Sequence, residues 1–186
     1  MKYFNLFIIF LLFPACAALA GTNHLKNEID AFVANMSLEE CVGQVLLVGL
    51  PASFEEVERY DDIKKMITEL HVGGFYVTNY NYRSSSKYSH EAKINKIISF
   101  HNYLQIEAAQ NKNPVPLFIA GDFETPGINS LTGIIHPPIE PLALSMVNGK
   151  LISMAGQVLA TQLRTLGVNM VLGPNLDLDQ QSFLSG

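Results

Sequence analysis

Two carboxylates stand where an apolar run ends. In "LFIAGDFETPG", residues 117–127, the run Leu117-Phe118-Ile119-Ala120 stops at Gly121, and Asp122 and Glu124 follow at alternate positions. Alternate residues of an extended segment point the same way, about 6.5 Å apart by strand rise. A carboxylate pair at a strand end suits glycosidase acid/base chemistry, and that separation falls near the border between the two glycosidase geometries. One other role stays open at this point: the acids could be ordinary solvated loop residues.

Other reactive residue types have plainer readings. His71 precedes Gly73-Gly74 and reads as a helix-end residue, while His101 lies on an apolar helix face and reads as a packed core histidine. His136, beside Pro137-Pro138, has no metal-ligand spacing around it. Cys41 reads as a small buried hydrophobe on the first helix. No Ser/His/Asp set is readable.

The elements that must position Asp122 and Glu124 alternate along the chain. Ser37-Leu38-Glu39-Glu40 has the form of a capping box that starts a short helix. "QVLLVGL", 44–50, is a continuous apolar run, as expected of a strand covered on both faces. Ser53-Phe54-Glu55-Glu56 repeats the capping pattern and predicts a helix to about Leu70, with Val57, Ile63, Ile67 and Leu70 facing inward. "FYVTN" follows as a second strand. Ile94, Ile97, Ile98, His101, Leu104 and Ala108 then recur at helical spacing. "PLFIA" is a third strand, and a loop rich in Pro and Gly covers 121–147. A third helix places Leu151, Ala155, Val158, Leu159, Gln162, Leu163 and Leu166 in register, Gly167 caps it, and "VNMVLGP" is a fourth strand.

The order β-α-β-α-β-α-β argues for parallel strands joined by right-handed crossovers. An open doubly wound sheet and a (β/α) barrel both satisfy it. No G-x-G-x-x-G or G-x-x-x-x-G-K-[ST] motif follows a strand, which counts against nucleotide binding. Polar residues do collect after strand ends, at Thr78-Asn79, Asp122–Glu124 and Asn175–Asp177. Both architectures bind ligands beyond the carboxyl ends of their strands.

The chain of 186 residues is 48% hydrophobic and 16% charged, enough apolar material for one core. Its formal net charge of −5, without a basic stripe, makes it a poor nucleic-acid binder. Residues 1–20, "MKYFNLFIIFLLFPACAALA", carry Lys2, an apolar run from Leu6 to Phe13, and a small-x-small site at Ala18-Leu19-Ala20. They read as a secretory signal peptide, with a retained signal anchor as the alternative. The expected destination is periplasmic or extracellular. "FPAC" loosely resembles a lipobox, so lipidation on Cys16 would instead make a membrane-anchored lipoprotein. Cleavage after Ala20 would remove Cys16 and leave Cys41 as the lone thiol, with no internal disulfide.

"MSLEECVGQVLLVGL", "HVGGFYV", "PLFIAGDFE", "HPPIEPLAL" and "LRTLGVNMVLGPNLDLD" occur in that order along the chain. Together they resemble the N-terminal (β/α) barrel domain of glycoside hydrolase family 3, in particular its β-N-acetylhexosaminidase branch, from about Met36 to Asp179. The family pattern after the third strand is roughly D-x-E-G-G-x-V-x-R. Asp122 and Glu124 fall on its acids, Thr125-Pro126 on its glycine pair, Ile128 on its apolar position, and Ser130 where a sugar-holding arginine is usual. The resemblance implies that Asp122 accepts hydrogen bonds from sugar hydroxyls and does no proton transfer. Glu124 and Asp177 are secondary substrate-binding candidates, Asp177 lining or bracing the pocket.

The fold so implied is α/β: the first half, about four βα units, of a TIM-type (β/α)8 barrel. A whole barrel has eight strands and typically about 250 residues, so residues 21–186 read as a partial domain. The implied activity is removal of terminal β-linked N-acetylglucosamine from cell-wall or chitin-type saccharides, retaining, with neither metal nor organic cofactor. The branch's Lys-His-x-x-Gly-x-Gly segment, its histidine/aspartate acid–base pair and its nucleophilic aspartate would lie beyond Gly186, leaving no catalytic residue within this chain. A non-catalytic sugar-binding remnant is the alternative. The expected partner is a carbohydrate. Self-association through the bare edges of a half barrel is also expected.

Overall fold

The structure, a computed structural model, describes residues 21–83, 88–124, 127–135, 143 and 145–174. Helix α1, Gly21–Ala34, belongs to a unit of its own ahead of Leu38. Leu25, Ile29, Phe32 and Val33 fall on one stripe of it and are exposed. The sequence reading did not anticipate this helix.

The second unit carries the remaining elements. Helix α2 is Leu38–Gln44, strand β1 is Leu47–Gly49, and helix α3 is Tyr60–Thr68. Strand β2 is Gly74–Val77, helix α4 is His90–Ala108, and strand β3 is Phe118–Asp122. Helix α5, Gly149–Thr165, leads to strand β4, Met170–Leu172. All neighbouring strands pair in parallel, in the order β1-β2-β3-β4. That order decides between the two architectures left open above. A doubly wound sheet reverses its strand order at a switch point, whereas this one advances by one strand at each crossover, as a (β/α) barrel does. The fold is α/β, with a partial barrel among the described residues.

Register assigns the two faces of the sheet. Phe75, Val77 and Ile119 share one face and are fully buried. They pack in one cluster with Ile63 and Ile67 of α3 and Ile97 and Leu104 of α4. Each such buried side chain contributes roughly 2 kcal/mol relative to exposure. The opposite face carries Leu47, Tyr76, Phe118 and Asp122. Phe118 is 54% exposed and Leu47 39%. The expectation that residues 44–50 are covered on both faces is therefore corrected: the strand is only three residues long, and this face is the side a barrel would enclose.

Two helices also depart from expectation. The 53–56 capping pattern does form, since Glu56 Oε2 accepts from Ser53 N at 2.6 Å, but it closes a turn. A 3-10 turn at Val57–Arg59 follows, and α3 begins only at Tyr60. Val57 and Leu70 consequently fall off the helix and are exposed, while Ile63 and Ile67 are buried as expected. In α5 only Leu163 is buried. Leu151, Val158 and Gln162 are exposed although they are in register. Helix α4 behaves as read: Ser89 Oγ caps Ala92 N at 3.2 Å, and the inner face seats Ile97, His101, Leu104 and Ala108.

Backbone packing sets the α3–β2 corner. His71 adopts φ 52°, a left-handed helix-end conformation, and its carbonyl accepts from Gln44 Nε2 at 2.9 Å. Gly73 N reaches Gly43 O at 2.9 Å. A Cβ on Gly73 would overlap the Gln44 carbonyl oxygen, and one on Gly43 the Leu70 carbonyl. Cys41 lies on α2, the helix expected from the 37–40 capping pattern, and is half-buried rather than buried.

Candidate functional site

The loops after β1, β2 and β3 converge at the carboxyl ends of the strands. Asn81 ties the first two together. It is 1% exposed, its Nδ2 donates to Leu50 O and Ala52 O at 2.9 Å each, and its Oδ1 accepts from Thr78 N at 2.8 Å. Tyr80 adds a tie from its hydroxyl to the Glu56 carboxylate, at 3.1 and 3.2 Å. That contact and the Ser53 backbone N–H, the larger influence, hold the Glu56 carboxyl below the usual range.

After β3 the chain folds back on itself. Ser130 N donates to Asp122 O at 2.9 Å, and Glu124 N donates to Ile128 O at 3.1 Å. Ser130 Oγ accepts from Asp122 N at 2.9 Å. Gly121 makes room for this return, since a Cβ there would lie 3.0 Å from both Cβ and Oγ of Ser130. Asn129 braces the next turn, donating to Ile135 O and accepting from Leu131 N, both at 2.9 Å.

The ends of β2 and β3 and the loops after them form an open cavity of about 230 Å³, lined by Tyr76, Thr78, Asn79, Asp122, Gly127, Ile128, Asn129, Ser130 and Thr132. Asp122 projects into it from the last residue of β3. Its Oδ2 accepts a short hydrogen bond from the hydroxyl of Tyr76, which stands on the same sheet face in β2. That bond, then burial, then the negative charges of Asp122 and Glu124 push the Tyr76 phenol upward, so it remains protonated and donates. Hydroxyls, amides and one carboxylate dominate the lining, a donor and acceptor set suited to a polyhydroxylated ligand.

The predicted residues separate here. Asp122 lines the cavity. Glu124 does not; it sits on the turn, with its Cγ side toward Gly173. Ser130 is buried and serves the Asp122 backbone, so the position where the family pattern has arginine acts here as a brace. Asp177, His136 and Cys16 lie outside the described residues, as does the proposed signal peptide. His101 is a core residue. Its Nδ1 donates to Leu166 O at 2.6 Å, and its Nε2 accepts from the Tyr82 hydroxyl at 2.9 Å. Among the described residues no cluster of three His, Cys, Asp or Glu side chains could hold a metal, and no helix is long and apolar enough to cross a membrane.

Sequence reasoning missed Tyr76, Asn81 and Asn129. Tyr76 had a signal: it is the one polar-tipped residue of an otherwise apolar strand, two positions before Thr78. Asn81 had a local signal, its spacing of three from Thr78, whose N–H it accepts, but none for its bonds to Leu50 and Ala52; Asn129 had none, because it acts on a turn that only the fold creates.

A family model described as "Glycosyl hydrolase family 3 N terminal domain" matches residues 37–184. No curated protein matches the chain by sequence. Among solved structures, a glycoside hydrolase family 3 beta-N-acetylglucosaminidase from Paenibacillus sp. str. FPU-7 is similar, with a TM-score of 0.63 and 28% identity. The match covers 77% of this chain but only 25% of that one, so the chain spans about a quarter of that enzyme's length.

Proposed function

Because the chain belongs to glycoside hydrolase family 3, through its N-terminal domain, we propose that it supplies the sugar-gripping part of a β-N-acetylhexosaminidase-type active site. The substrate would be a terminal β-linked N-acetylglucosamine of a cell-wall or chitin-type saccharide. The observation that carries this reading is Asp122: a carboxylate at the carboxyl end of a parallel strand, held by Tyr76, in a cavity otherwise lined by hydroxyls and amides. A carboxylate so placed accepts charge-assisted hydrogen bonds from hydroxyl groups, about twice as strong as neutral ones. Glu124, on the turn beside it, and Asp177 would be secondary contacts to the sugar. The 28% identity to a β-N-acetylglucosaminidase supports the choice of sugar.

Turnover in this reading needs groups other than Asp122. The proposed mechanism is retaining, through a glycosyl-aspartate, with a histidine/aspartate pair as acid and base. No Lys-His-x-x-Gly-x-Gly segment occurs in residues 1–186. That favours a second reading for this chain taken alone, binding of sugar without hydrolysis. We further propose export, with residues 1–20 as the leader and Cys16 as a lipid attachment point if it is retained.

Calorimetric titration with N-acetylglucosamine and an arylglycoside assay test the two readings together. The expected result is saturable binding with background turnover, and loss of binding in Asp122→Ala. Turnover that survives re-purification and disappears in Asp122→Ala would show that the chemistry is present in this chain. No binding of any neutral saccharide would remove the sugar-gripping role.

A further inference from the structure

We propose that Tyr76 is a second ligand-contacting residue of this site. Its hydroxyl oxygen and the free oxygen of Asp122 together accept two hydroxyl protons of one neutral sugar. The inference rests on the sugar-binding reading above and deepens it.

The argument begins from proton bookkeeping at the cavity wall. A phenol has one proton, and Tyr76 donates it to Asp122 Oδ2. The phenol oxygen then has only acceptor capacity toward the cavity, and the ionised carboxylate has only acceptors. Register places both side chains on the same face of adjacent strands, and both line the same cavity. The pair is thus an acceptor-only edge.

Such an edge selects its ligand. A sugar hydroxyl brings the donor that each oxygen lacks. A carboxylate or phosphate brings none, and it meets the negative charge of Asp122. No Lys, Arg or His is among the described residues that line the cavity, so nothing there offsets the repulsion. Tyr76 also fixes the carboxylate in one orientation before the ligand arrives, which lowers the ordering cost of binding. With one carboxylate oxygen already engaged, the second sugar hydroxyl is received by the phenol oxygen instead.

The test is calorimetric titration of the whole chain with N-acetylglucosamine and with glucuronic acid, for wild type and Tyr76→Phe, each with a thermal melt. The expected result is binding of the first sugar and not the second. The variant should bind about fivefold more weakly, the scale of one neutral hydrogen bond, at an unchanged melting temperature. Equal affinity in Tyr76→Phe overturns the inference and leaves the sugar reading standing. Equal binding of glucuronic acid by wild type also overturns it. Absence of saturable binding to any neutral sugar removes the sugar reading and this inference with it. If the variant melts lower, the wild type decides: ring-labelled tyrosine should show a saturable shift of the Tyr76 resonance as sugar is added. A resonance unmoved at saturation refutes the contact.

Discussion

His101 should make this protein lose stability in mild acid. Its ring joins three elements: it stands on α4, donates from Nδ1 to Leu166 O at the end of α5, and accepts at Nε2 from Tyr82 in the turn after β2. A carbonyl can only accept, so the donor tautomer is fixed, and the Tyr82 proton fills the remaining lone pair. The neutral ring satisfies both partners, whereas a second ring proton would leave Tyr82 facing a donor. Burial, the larger influence, lowers the imidazole from 6.5 to about 4; the bond to Leu166 opposes it. The unfolded chain therefore binds this proton more readily than the folded one between those values. Stability is fully present above about pH 6.5 and is lost as pH falls toward 4. The loss totals roughly 3 kcal/mol, a large share of a domain's net stability. Urea unfolding at steps from pH 7.5 to 3.5, for wild type and His101→Gln, isolates the effect, because the surface carboxylates are common to both. The variant should be less stable at pH 7.5, and its decline toward pH 4 should be shallower by about 3 kcal/mol. Parallel declines, or a His101 ring resonance that titrates near 6.5 in the folded protein, would refute the reasoning.

Gly73→Ala should destabilise the protein by about 3 kcal/mol in denaturant unfolding, because its methyl group overlaps the Gln44 carbonyl oxygen and the backbone must give way; an unchanged midpoint would mean that the α2–β2 approach is looser than described. Strands β1 and β4 each have one neighbour among the described residues, and Leu46, Leu47, Phe118 and Val171 are exposed. The isolated chain should therefore self-associate, seen as a mass above 20.5 kDa in light scattering after size exclusion; a monodisperse monomer with a sharp reversible melt would contradict this. Intact mass of exported protein should place the N-terminus at Gly21, and retention of Met1 would exclude cleavage after Ala20.

The succession of elements along the chain and the buried helix faces were legible where one periodicity dominated. In α4, six inward positions at helical spacing left little freedom, and the helix formed as read. The 53–70 segment was less legible because its capping pattern is local: Ser53 and Glu56 satisfy each other equally well in a turn, and nothing in the spacing says that a helix must follow. The α5 stripe shows the converse. Its apolar register is plain, yet burial needs a second surface, and sequence periodicity in one helix carries no information about what lies over it. At the site, Asp122 was legible as an acid where an apolar strand ends, and Ser130 only as a departure from the family pattern. Its bond to the Asp122 backbone depends on the chain doubling back over Gly121, which the intervening residues do not announce.

That doubling back separates what holds Asp122 from what surrounds it. The return is fixed by main-chain pairs at Asp122–Ser130 and Glu124–Ile128 and by a single hydroxyl. Of these ties, only the Ser130 hydroxyl is a side-chain group. Ile128 lines the cavity and is 45% exposed, so its substitution costs little stability. Mutation can therefore retailor the cavity wall while the carboxylate stays in register. The loop is an editable cassette on a fixed anchor, a place where ligand preference can drift, in a lineage or in a library, without renegotiating the fold.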